Sequence, residues 1–225
     1  MKQTRWIRKP AAAGRFYPAA PVELEQAIRS YLEQAGAEQA AEDQAGETPD
    51  CPVRGLIVPH AGYPCSGAVA AHAYRTLLGW GMPRPPVYLM GPAHWLPVPG
   101  VGLSSADSFL TPLGLAPVMR RRVAHLLKMG GQYVVADTAH RPEHCLEVQL
   151  PFLQVVLGRF QIVPLLFGWG AGPAQVADDL SELLQEEPGL LIASSDLSHG
   201  LPYVQAMEAD RGLLAAVVAG DLAGA

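Results

Sequence analysis

With 225 residues, 49% of them hydrophobic, the chain is long enough to bury one sizeable core and short for two domains. Sixteen basic and twenty-one acidic residues leave a net charge of -5 with no basic block, so the electrostatic footprint of a nucleic-acid binder is missing. No apolar run approaches the roughly 18–20 residues of a membrane-spanning helix, and three scattered cysteines, Cys51, Cys65 and Cys145, predict a reducing, cytoplasmic setting without a disulfide framework.

The chain opens on a basic arm that lacks the apolar core of a signal peptide. A-G-R-F-Y-P at 13–18 predicts an irregular segment pinned by two aromatics. Apolar residues at Val22, Leu24, Ala27, Ile28, Tyr31 and Leu32 recur at helical spacing and predict a helix over 22–34, with Gly36 as its stop. Residues 37–52 are acidic, alanine-rich and almost free of large apolar side chains, which predicts a low-complexity surface linker.

Beyond 52, short apolar runs alternate with helical segments, the pattern of a sheet covered by helices. Strands are expected at 53–58, 86–90, 132–136, 160–167 and 189–193, with a weaker one at 101–104. Helices are expected at 67–78, 118–129, 143–157, 173–185 and 203–219, with Pro151 kinking the third or ending it early. The whole chain is read as one α/β domain, a mixed central sheet flanked by helices.

Three of these strands run into a short polar motif containing histidine: P-H-A-G at 59–62, G-P-A-H at 91–94 and S-D-L-S-H at 195–199. Ligand sites in open α/β sheets gather beyond the carboxyl ends of the strands, so His60, His94 and His199 can converge although they lie far apart in sequence. Neutral imidazole is the commonest protein ligand for zinc, iron, copper and nickel, which makes His60 and His94 the expected metal pair. His199, with Asp196 three residues before it, is expected either as a general base oriented by a carboxylate or as a third ligand. His144 and Glu147 are expected to support the pocket from behind the ligands. His140 is read as capping a loop, with a second metal site among His140, His144, Glu143 and Glu147 as the alternative, and His72 and His125 as locally satisfied helix residues.

Taken together, five segments resemble the Memo family, the protein B component of the AmmeMemoRadiSam system. They are the run from Leu56 to Tyr74, G-P-A-H from Gly91, L-S-S-A-D-S-F-L-T-P-L-G from Leu103, E-H-C-L-E-V-Q-L-P-F-L-Q from Glu143 and S-S-D-L-S-H from Ser194. The resemblance implies a fold similar to class III extradiol dioxygenases, with His60 and His94 as metal ligands and Asp196 and His199 as the polar pair across the pocket. It implies a metal cofactor, iron or copper ahead of zinc, and radical-SAM and AMMECR-type proteins as partners. The family's third ligand is a cysteine in a C-terminal Cys-Gly motif with no counterpart here, and Gly220, Asp221 and Leu222 read as the start of a further helix, so a C-terminal truncation is expected. Three functions stay open: a metal-dependent oxidoreductase, a non-catalytic metal- or partner-binding component, and a metal-dependent hydrolase.

Overall fold

The computed structural model describes residues 6–42, 53–80 and 85–221. The chain forms two compact units, Met1–Ser195 and Asp196–Ala225. Along the first unit the elements run β1 (Ile7–Arg8), α1 (Pro21–Glu42), β2 (Gly55–Val58), α2 (Tyr63–Arg75), β3 (Pro86–Pro92), β4 (Val101–Leu103), β5 (Ser108–Thr111), β6 (Gly114–Pro117), α3 (Arg120–Met129), β7 (Tyr133–Val135), α4 (Asp137–His140), α5 (Leu150–Leu157), β8 (Gln161–Phe167), α6 (Pro173–Glu186) and β9 (Leu190–Ser194).

The main sheet has six strands in the order β2-β9-β3-β8-β4-β7. Strands β2, β9, β3 and β8 run parallel, and β4 meets β8 antiparallel, so the sheet is mixed as expected. Five of the seven residues in each of β3 and β8 are buried, including consecutive ones, the pattern of strands covered on both faces. Because the four parallel strands point the same way, Val58, Pro92 and Ser194 all end at one edge. A smaller sheet, β1-β5-β6, ties the N-terminal arm to the hairpin at 108–117.

Helix α1 buries Leu24, Ile28, Leu32 and Ala35, a single face at spacings of three and four, against α2 and α5. It continues through Glu42, so the expected linker at 37–52 is helical over its first six residues, while the remainder up to Pro52 lies outside the described residues. The physical reason is local propensity, since alanine, glutamate and glutamine favour helix even where no apolar face asks for one. Pro151 also differs from expectation. Residues Glu147–Gln149 form a tight 3-10 turn and α5 begins at Leu150, so Pro151 sits in the first turn, where its missing N–H costs nothing.

Gly91 lets the end of β3 pack closely against Cys145 and Leu146 in the loop before α5. A Cβ added there would lie 2.7 Å from Cys145 Sγ and 3.0 Å from Leu146 Cδ2, so no larger residue fits without pushing the 143–146 segment away.

The second unit contains α7 (Tyr203–Ala219), with the bounds the periodicity predicts. Gly220, at φ 68°, closes this helix through hydrogen bonds to Ala216 and Val217, and Leu222, where the start of a further helix is expected, lies outside the described residues. Among the described residues, no helix is long and apolar enough to cross a membrane.

Candidate metal centre

His60 follows β2 by two residues and His94 follows β3 by two, so both stand at the carboxyl edge of the sheet. Their rings are 5.1 Å apart, edge to face. The loop before α5 adds His144, whose ring lies 4.7 Å from His94 and 5.7 Å from His60. Each histidine offers one ring nitrogen such that the three nitrogens lie within 4.8 Å of one another. These three imidazoles are the residues that could hold one metal ion between them. From the sequence, His144 is expected in a supporting role; the structure brings it into the same group as the two expected ligands.

Glu143 organises this group. One carboxylate oxygen accepts the His94 ring Nδ1–H at 2.9 Å and the amides of His144 and Cys145 at 2.8 and 3.0 Å, while the other accepts the His94 amide at 2.7 Å. Burial pushes the carboxyl up, but the His144 ring beside it and the donors from His94 and Cys145 outweigh that and hold it well below the usual carboxylate range. An ionised Glu143 keeps the proton of neutral His94 on Nδ1, leaving Nε2 as its ligand nitrogen. His144 Nδ1 lies 3.2 Å from the same carboxylate without hydrogen-bond alignment, and it is one of three buried side-chain polar atoms among the described residues that lack a hydrogen bond.

Such a group fits a metal ion. It combines three imidazoles, a carboxylate placed to orient one of them and a buried ring nitrogen short of a hydrogen-bond partner. A second candidate group, His94, Glu143 and Cys145, overlaps the first. It fits less well, because Glu143 already accepts from four donors and the Cys145 thiol donates to the Pro92 carbonyl at 3.2 Å. The Phe16 ring packs tilted 4.5 Å from His144, and half-exposed Trp95 approaches the same ring at 6.3 Å.

Glu147 is fully buried and faces the N-terminal arm. It accepts hydrogen bonds from the amides of Ala11 and Ala12 at 2.7 and 2.9 Å, from the Tyr17 hydroxyl and from the Arg8 guanidinium, and Arg8 also reaches the carbonyls of His140 and Glu143. In this way Glu147 fixes the segment that carries Phe16. Asp196 and His199 belong to the second unit; Leu197 between them has φ 59°, and the Ser198 amide donates to Asp210 at 2.9 Å.

The other histidines have local settings. His72 pairs with Glu38 on the surface at 2.9 Å, and His125 lies on α3. His140 is 1% exposed and donates Nε2–H to the Gly102 carbonyl at 3.0 Å, so it is a core residue rather than a member of a metal group. Burial lowers its pKa from 6.5 to about 4. The unfolded chain therefore binds more protons between these values, and stability is whole above about pH 6.5 and falls as pH drops toward 4. His140 contributes about 3 kcal/mol to this loss. Denaturant titrations of the protein and of His140→Gln at stepped pH check it; identical pH profiles would contradict the assignment.

Sequence reasoning did not reach Glu143 as the organiser of His94, nor Gln149 and Ser194 as partners near His60. The available signal was E-H-C-L-E-V-Q itself, where acidic and amide residues interrupt an otherwise apolar run leading into a buried helix.

A mixed α/β sheet with histidines gathered at its strand ends defines a class of protein able to hold a metal ion there. The sequence profile of the family described as Memo-like protein matches residues 8–224. A MEMO1 family protein of Methanopyrus kandleri is 35% identical over 228 residues, covering 96% of this chain and 77% of that protein. Another, of Thermotoga maritima, is 39% identical over 199 residues, covering 85% and 70%. The chain belongs to the Memo-like family.

Proposed function

We propose that this Memo-like chain binds a metal ion, iron or copper ahead of zinc, through His60, His94 and His144 at the carboxyl edge of a sheet related to that of class III extradiol dioxygenases. The observation that carries the reading is the set of three ring nitrogens within 4.8 Å, braced by Glu143. Imidazole suits all three metals, and the family resemblance supplies the preference for redox-active ones. A metal held there would supply Lewis-acid or redox chemistry to a ligand at its remaining positions. The chain's own contribution is orientation: Glu143 aims His94, and the rings of Phe16 and Trp95 pack near His144. On the strength of the S-S-D-L-S-H match, His199 is the proposed proton-moving base and Asp196 its orienting carboxylate.

Elemental analysis after anaerobic purification, followed by titration of the stripped protein with Fe(II), Cu(I) and Zn(II), tests the proposal. One equivalent of bound iron or copper is expected. Protein that neither retains nor takes up a stoichiometric metal would defeat it, and zinc alone would move the reading toward hydrolysis.

A further inference from the structure

We propose that Ser194, held by Gln149, sets the tautomer of His60 and so decides which of its ring nitrogens can ligate. The inference rests on the reading of His60 as a metal ligand, but its geometry stands independently of any metal. Tyr74, Gln149 and Ser194 are all buried, at 0%, 1% and 3% exposure, so no bulk water substitutes for their contacts.

A backbone carbonyl can only accept, and that fixes the first member of the relay. One end of the Gln149 amide lies 2.9 Å from the Pro59 oxygen, so that end must be the NH2 group. The other end is then the carbonyl, and it accepts from the Tyr74 hydroxyl at 2.8 Å. Burial raises the Tyr74 pKa well above its ordinary value, so this hydroxyl keeps its proton and remains a donor. The second N–H of the same NH2 group points to Ser194 Oγ, also at 2.8 Å.

Ser194 has one proton to give. Its Oγ lies 2.8 Å from the Cys145 carbonyl, a second group that can only accept, so the proton goes there. One lone pair is taken by Gln149. The remaining one faces His60 Nδ1 at 3.0 Å, and this contact is a hydrogen bond only if His60 donates. Neutral His60 therefore carries its proton on Nδ1 and presents Nε2 as the basic nitrogen, as Glu143 arranges for His94 by a different route. Ser194 is thus a positioning residue: it acts on the metal group through His60.

Two readouts test the relay. Long-range 15N–1H spectra of the metal-free protein report the tautomer of His60, and competition titration reports Zn(II) affinity. In the unsubstituted protein, His60 is expected as the Nδ1–H tautomer. Ser194→Ala should shift the population toward Nε2–H and weaken Zn(II) binding about 10- to 100-fold, the usual loss when a ligand's supporting partner is removed. Gln149→Met keeps the serine but releases its fixed orientation, and should produce a smaller shift in the same direction; it also serves if Ser194→Ala does not fold. An Nε2–H ring in the unsubstituted protein, or a ring spectrum unmoved in the folded variants, would overturn the inference. If the unsubstituted protein binds no Zn(II), the proposed metal site loses support, while the ring spectra still decide the tautomer.

Discussion

Replacing Glu147 with Gln is expected to cost about 3–5 kcal/mol of folding stability, several times what the loss of an exposed ion pair would cost. The carboxylate is fully buried and faces a guanidinium that is nearly so, with Arg8 at 2% exposure. Glutamine keeps the shape but leaves that cation without its counter-charge and offers a single acceptor oxygen where two serve four donors. Urea titration measures the loss. A change below about 1 kcal/mol would mean that the pair is not as desolvated as its geometry indicates. Replacing both partners with apolar residues, as in Arg8→Met with Glu147→Leu, should recover part of the stability, because the main penalty is an orphaned charge.

The second large effect concerns binding. His60→Ala combined with His94→Ala should abolish stoichiometric metal binding, a loss beyond the roughly 10- to 100-fold expected from removing a supporting residue. His144 alone cannot hold an ion in competition with water. His72→Ala should leave binding unchanged, since that ring pairs with Glu38 at the surface. Titration of stripped protein monitored by elemental analysis or calorimetry distinguishes the two. Equal losses from His72→Ala would place the metal elsewhere.

Much of the frame was legible because strand and helix periods differ. The run at 160–167 marked β8, and the spacing at 203–219 marked α7 to the residue. His60 and His94 were legible for a topological reason, each following a parallel strand whose end falls at one edge. The hairpin at 108–117 was not, because two four-residue strands around a Thr-Pro-Leu-Gly turn carry too few alternations to register. Neither was the end of α1 beyond residue 34, where alanine and glutamate imitate the composition of a linker. The polar residues behind the ligands, Glu143, Gln149 and Ser194, reach His94, His60 and one another through contacts 45 to 134 positions away, which no local window contains.

The clamp between Arg8 and Glu147 spans 139 positions. Closing it brings together segments far apart in sequence and so carries a loop-closure entropy cost. Phe16, which packs on His144, is carried by the same arm. An ion that binds the three histidines more tightly in the native state than in the unfolded chain would draw the folding equilibrium forward by mass action, making the ambient concentration of free metal a determinant of how much folded protein a cell maintains.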